Sequence, residues 1–207
     1  MIPVKSFSNA KTRLNLSQTK IKHLCEIMLE EMLDTISKCN LINNVIIVSK
    51  DESAFKIGKK FKCIEITDEK ETSVNYAVSL ANDFLIEHDF SHSIILPQDI
   101  PLVLSEDIDN LLKFCKNEKF AIIVPSRHFD GTNALVRTTN YNMQTRYDEG
   151  SYKFQFEPLK MAKIKYSLAL IHRIMIDIDS VYDANYALKQ NIKHSFCKKM
   201  ESIFFEK

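Results

Sequence analysis

At 207 residues the chain has the length of one ordinary domain, enough to bury a core without disulfides or a structural metal. Its 45% hydrophobic and 27% charged residues exclude a disordered or fibrous chain and fit a soluble globular protein. A formal net charge of +1 excludes the global basic field that recruits nucleic acid or an anionic membrane, so an anionic ligand must be held by local groups.

The cysteines Cys25, Cys39, Cys63, Cys115 and Cys197 are widely spaced, with no CxxC pair and no histidine at zinc-ligand spacing. They read as reduced thiols of a cytoplasmic protein. The opening MIPVKSFSNAK lacks the apolar core of a signal peptide, and no apolar run approaches the roughly 20 residues of a membrane helix.

The segment IPVKSFSNAKTRL (2–14) starts like a strand and continues with Lys5, Lys11 and Arg13, where a phosphate-binding loop would lie. It has no Walker or dinucleotide glycine pattern, so side-chain cations would have to hold phosphates; a solvated basic loop is the alternative. Ser17 is a candidate N-cap for a helix over 17–39, whose stripe is Ile21, Leu24, Cys25, Met28, Met32 and Ile36. Buried strands are expected at 44–50, 62–67, 93–97 and 120–125, each a short apolar, β-branched run. The lysines at 56, 59, 60 and 62 read as a solvated helix face or turn. Further helices are expected at 72–87 and 105–115. Beyond residue 126 the pattern predicts a loop, a strand near 133–138, a helix from 153, a strand at 168–174 and a helix from about 180.

Strands alternating with helices predict a single α/β domain over 1–207, with a mostly parallel, doubly wound sheet and ligands beyond the carboxyl ends of its strands. At such an end stands LPQDIPL (96–102), where two prolines stiffen the chain around Asp99; the alternative for this carboxylate is a helix cap. In MIDIDS (175–180) Asp177 and Asp179, two apart in an extended segment, can face one centre. Three carboxylates about 4 Å apart repel by roughly 4 kcal/mol per pair at an effective dielectric of 20, so convergence implies a bound cation. All-oxygen ligation favours magnesium or manganese and points to phosphate chemistry.

Two of only three glycines lie in polar loops, Gly131 in RHFDGTNALV and Gly150 in RYDEGSYKF. Each serves either a turn with positive φ or a close backbone approach to an anion, beside the hydroxyls of Thr132 and Ser151. Arg127, Arg137 and Arg146 fall in this same half, and their planar forks suit carboxylate or phosphate.

In order and spacing these segments resemble the 2-phospho-L-lactate or phosphoenolpyruvate guanylyltransferases of coenzyme F-420 biosynthesis. IPVKSFSNAKTRL is similar to that family's "PVK...AKSRL", LPQDIPL to "LPaDlPL", RHFDGTNAL to "R..DGTNaL" and DIDS to "DiDTp", over residues 2 to about 188. TSVNYA (72–77) is similar to "gLNaA" with Ser73 in place of glycine. RYDEGSYKFQ keeps only Gly150 and Ser151 of "FGPGSf..H", with Asp148, Glu149 and Gln155 replacing glycine, proline and histidine.

The resemblance implies a GT-A-like nucleotidyltransferase fold and transfer of GMP from GTP to a small phosphorylated carboxylic acid, with release of pyrophosphate. It implies that Lys5, Lys11 and Arg13 embrace the GTP phosphates, Asn75 helps read the nucleotide, and Asp99, Asp177 and Asp179 hold Mg²⁺. Thr132, Gly150 and Ser151 would hold the acceptor. Neither nucleic acid nor a membrane is an expected partner, and a homodimer is left open. The rivals are another nucleotidyltransferase on this scaffold, such as a molybdenum-cofactor guanylyltransferase or a cytidylyltransferase, and a catalytically silent nucleotide-binding protein. The first pair usually opens on a glycine-rich loop, absent here; retention of all three aspartates argues against the second.

Overall fold

The computed structural model describes residues 1–7, 11–115, 119–139, 144–150 and 152–205. A minimal first strand, β1 (Ile2–Pro3), leads through a single 3-10 turn at Thr12–Leu14 into α1 (Gln18–Ser37). Ser17 caps α1 as expected, its hydroxyl accepting the Lys20 amide at 3.3 Å. There follow β2 (Ile46–Ser49), α2 (Glu52–Lys60), β3 (Ile64–Thr67), α3 (Val74–Glu87), β4 (His92–Ile95), α4 (Ser105–Leu112) and β5 (Phe120–Pro125). The second half contributes β6 (Thr132–Thr138), α5 (Phe156–Met161), β7 (Lys165–Leu168), α6 (Val181–Lys189) and α7 (His194–Phe205).

The strands form two ladders, β1-β2-β3, all parallel, and β4-β6-β5-β7. In the second, β6 runs antiparallel to both neighbours while β5 and β7 are parallel. Met1 joins the ladders: its amino group donates to Ile94 O at 2.6 Å and its carbonyl accepts the Leu96 amide at 3.1 Å. Chain order therefore reverses between β1 and β4, and in such a sheet the crevice beyond that reversal is the natural ligand site.

Strand alternation sends side chains to two covered faces. Ile47, Ile94, Ile122, Val124, Ala134 and Val136 face the larger core, built with α1, α2, α4, α6 and α7. Ile95, Ala121, Ile123 and Leu135 face Val78 of α3 and Leu159 of α5, and Ile46 and Val48 face Ala77, Ala81 and Leu85 of α3. None of the helices, among the described residues, is long and apolar enough to cross a membrane.

One expectation needs correction and another holds. The strand predicted at 168–174 lies earlier, at Lys165–Leu168, and Ile171–Met175 is a turn closed by the Ile174 and Met175 amides on Ile171 O at 3.0 and 3.1 Å. Ile174, Met175 and Ile176 are buried there as loop residues, so their apolar character reflects packing without a ladder. The lysine-rich stretch around 56–60 is α2, which packs Ala54 and Ile57 into the core and leaves Lys56, Lys59 and Lys60 in solvent.

One buried carboxylate ties the α1–β2 connection to α4. Asp109 accepts the Asn40 amide and side-chain N–H, both at 3.0 Å, and the Leu41 amide at 3.1 Å. Burial would raise its pKa, but these hydrogen bonds hold it below the usual carboxylate value. A depressed carboxylate stabilises the fold above its unfolded pKa of about 3.9, and that contribution is lost as pH falls through the lower folded value. Asp109→Asn is therefore expected to cost about 1–3 kcal/mol at pH 7 in urea unfolding, with the gap to wild type narrowing once pH is below about 3. Equal stability at pH 7 would show that the connection does not depend on this carboxylate.

Candidate active site

Three stretches distant in sequence meet at the reversal point. The first is the loop after β1, where Lys11 adopts a left-handed backbone with φ 55° and ψ 37°. Such a conformation is unfavourable for a non-glycine residue and persists only where its surroundings over-determine it. Here those surroundings are ionic. Lys11 Nζ donates to Asp99 Oδ2 at 2.5 Å and to Asp179 Oδ1, with the lysine side chain only 7% exposed.

The second stretch follows β4. Leu96, Ile100, Leu102 and Val103 are buried and clamp the backbone around Asp99, whose side chain stays 20% exposed toward the crevice. The third is 174–179, where Ile174, Ile176 and Ile178 point into the core and the alternate Asp177 and Asp179 point away from it. Its register is fixed at four points. The Ile178 amide donates to Asp99 O at 2.9 Å, the Arg127 amide to Met175 O at 2.8 Å, and Asn133 Nδ2 to Ile174 O at 3.0 Å. Arg173 grips Asp107 of α4 with two hydrogen bonds of 2.6 Å. Ser180 then caps α6 through a reciprocal pair with Asp183, which ends the extended segment immediately after Asp179.

Burial alone would lower the Lys11 ammonium pKa; Asp99 and Asp179 override it and hold the pKa above its usual value, so the group is a permanent cation. Asp177 stands outside this ion pair and accepts from Asn133 Nδ2 at 3.2 Å. Burial, and then the Asp99 charge, push its carboxyl up to about 6. One ammonium thus pairs with two carboxylates, with a third, Asp177, influenced by the charges of both. Among the described residues no three His, Cys, Asp or Glu side chains form a closed metal-holding group; the cation between Asp99 and Asp179 is Lys11.

The loop between β5 and β6 is organised by Ser126, a residue the sequence patterns do not single out. Its hydroxyl accepts the Asp130 and Gly131 amides at 3.1 and 3.0 Å and donates to Asp130 Oδ1 at 2.6 Å. The Gly131 amide is therefore engaged internally, and the anion-cradling alternative for this glycine does not describe the structure. Thr132 is buried at the head of β6, and because β6 runs antiparallel, Thr132 and Asn133 lie at the crevice end of the sheet. Gly150 has φ 69°, a backbone conformation that favours glycine, and no protein atom lies within 4 Å of an added Cβ. Ser151 lies outside the described residues.

Two of the arginines in this half, Arg127 and Arg137, are engaged by side chains of the protein. Arg127 pairs with Asp183 at 2.8 Å and lies 4.1 Å from the Tyr186 ring centroid, binding the end of β5 to α6. Arg137 is buried toward the far end of β6, 2.8 Å from Asn82 Oδ1, and burial lowers its pKa to about 10. Arg146 donates its backbone amide to Gln155 Oε1 at 3.2 Å.

On the nucleotide side, Lys5 and Arg13 are exposed, and Asn75 is half-buried in the first turn of α3. The loop carrying Lys5 is pinned by two acids that the motifs do not mark. Glu71 accepts the Ser6 amide and, at 3.0 Å, its hydroxyl, while Asp51 accepts the Phe7 amide at 2.9 Å. Asp51 and Glu71 lie in the connections that leave the carboxyl ends of β2 and β3.

Comparison with known proteins agrees with this arrangement. Residues 1–197 match the family described as guanylyl transferase CofC like. A 2-phospho-L-lactate guanylyltransferase of Methanocaldococcus sp. is 31% identical, covering 94% of this chain and 90% of its own length. A phosphoenolpyruvate guanylyltransferase of Conexibacter woesei is 26% identical, covering 93% and 87%. Among solved structures, a nucleotide-diphospho-sugar transferase of Desulfovibrio desulfuricans G20 superposes with a TM-score of 0.75 over 98% of this chain and 94% of its own, at 15% identity. That last likeness concerns the fold alone. The chain belongs to the CofC-like guanylyl transferase family and is a nucleotidyltransferase.

Proposed function

We propose that the protein joins GMP from GTP to the phosphate of 2-phospho-L-lactate or phosphoenolpyruvate, with release of pyrophosphate, as a cytoplasmic enzyme of coenzyme F-420 biosynthesis. The observation that carries this reading is the Lys11–Asp99–Asp179 cluster beside Asp177, at the reversal point of a sheet belonging to a guanylyltransferase family.

Asp99, Asp177 and Asp179 offer oxygen donors, the type that magnesium takes, although among the described residues they do not close a three-carboxylate group around one point. Magnesium held by these three aspartates would supply charge neutralisation at the phosphates. The chain's own groups do the remaining work. Lys11, Lys5 and Arg13 attract and orient the triphosphate, and the pinned Ser6 and Phe7 amides keep their loop in place. Thr132, Gly150 and Ser151 receive the acceptor.

An oxygen of the acceptor phosphate attacks the α-phosphorus of GTP in line. The new P–O bond forms as the bond to the β-phosphate bridging oxygen breaks, and pyrophosphate leaves with that electron pair. The attacking oxygen is already ionised near neutral pH, so no protein base or nucleophile is needed, and catalysis consists of positioning and charge stabilisation.

Incubation with GTP, Mg²⁺ and 2-phospho-L-lactate, phosphoenolpyruvate or 3-phosphoglycerate is expected to release pyrophosphate with one of the first two acids. GTP should be preferred over ATP, CTP and UTP. Absence of pyrophosphate with all three acids, or equal rates with ATP, would contradict the proposal. Asp177→Asn is expected to lower kcat by roughly 100-fold or more. It should leave the melting temperature within a few degrees, because the new carboxamide still presents an oxygen to Asn133. Near-normal turnover would remove Asp177 from the mechanism.

A further inference from the structure

Asp148 stands where the resembled family has glycine, and it sets a negative charge beside the loop expected to receive an anionic acceptor. The structure turns that charge onto α3. Asp148 Oδ1 accepts the Val74 amide at 3.3 Å and Oδ2 the Asn75 amide at 3.1 Å. Ser73 Oγ takes the next amide, of Tyr76, at 3.0 Å, so the first three N–H groups of α3 all end on side-chain oxygens. A carboxylate at this end of a helix also gains from the helix dipole.

The contact is returned. Asn75 Oδ1 accepts the Tyr147 amide at 2.8 Å, and Tyr147 packs against the apolar cluster that holds Val78, Leu135 and Leu159. Neighbours in the turn, Tyr147 and Asp148, are thereby cross-linked to neighbours in the helix, Val74 and Asn75. The left-handed Gly150 then closes the turn. A consequence follows for Asn75: a carboxamide has one oxygen and one NH₂ group, and here the oxygen is engaged within the protein. What remains for a ligand is the Nδ2 donor.

We propose that Asp148 is a positioning residue for the nucleotide. By docking the 147–150 turn on α3 it fixes the Asn75 carboxamide, with its oxygen on the Tyr147 amide, so that the Nδ2 donor is offered to an acceptor atom of the nucleotide. The inference rests on the reading of Asn75 as a nucleotide-binding residue, and it explains how this chain accommodates an acid in a loop expected to meet an anion.

The test is a double-mutant cycle on the full chain, with KM and kcat measured for GTP and for the acceptor in wild type, Asp148→Ala, Asn75→Ala and the double variant. Asp148→Ala is expected to raise the KM for GTP about tenfold, as for loss of a charge-assisted hydrogen bond, while kcat and the acceptor KM stay within about twofold. Asp148→Asn, which keeps one accepting oxygen, should fall between, and the double variant should be no worse than Asn75→Ala. Unchanged KM for GTP in Asp148→Ala with a raised value in Asn75→Ala would overturn the role of Asp148 and leave the reading of Asn75 standing. Multiplying effects in the double variant, or a shift in the acceptor KM alone, would also overturn it. Unchanged KM in Asn75→Ala would sink the reading of Asn75 and the inference with it.

Discussion

The Lys11 ammonium between Asp99 and Asp179 joins three parts of the chain: the loop after β1, the turn after β4 and the segment before α6. Its local cost is an unfavourable backbone at Lys11 and the burial of charge, and the opposite charges hold both in place. The rest of the molecule can be understood as supporting that contact. β1 and β4 are adjacent at the reversal of the sheet, so the residues that follow them emerge side by side. The antiparallel direction of β6 delivers Asn133 to the same end, where its amide holds Asp177 against a buried backbone carbonyl.

Around this centre the charged side chains divide by task. Arg127, Arg137 and Arg173 are engaged with Asp183, Asn82 and Asp107, and their planar forks fix the geometry of β5, β6 and the aspartate segment. Glu71 and Asp51 accept backbone amides of the β1 loop. Lys5 and Arg13 remain exposed. Burial first, and then the neighbouring Asp99 charge, raise the Asp177 pKa at this centre.

Much of this was legible before the coordinates. α1 falls within the predicted 17–39 because a 20-residue helix carries enough turns for its apolar stripe to declare the period. β5 occupies 120–125 as predicted, since an apolar run ending in proline has few other readings. LPQDIPL and DIDS were legible as carboxylates at one end of an α/β sheet, and the structure brings Asp99 and Asp179 onto one lysine. The failures share a cause. Apolar character reports burial without saying what buries it, so the loop at 171–176 read as a strand. Composition likewise cannot tell an arginine that meets a ligand from one that meets a side chain of the protein, and Arg127 and Arg137 engage Asp183 and Asn82. Glu71 and Asp51 accept backbone amides of a loop distant in sequence, and no spacing in the sequence encodes such a partner.

The central claim is that this site transfers GMP directly, with the protein supplying position and charge and no covalent intermediate. The stereochemical course at the α-phosphorus tests it most directly, using GTP carrying a single α-phosphorothioate diastereomer and the acceptor acid that supports turnover. One in-line displacement predicts inversion of configuration in the product. Retention would mean two successive displacements through a guanylylated side chain, and would contradict the account.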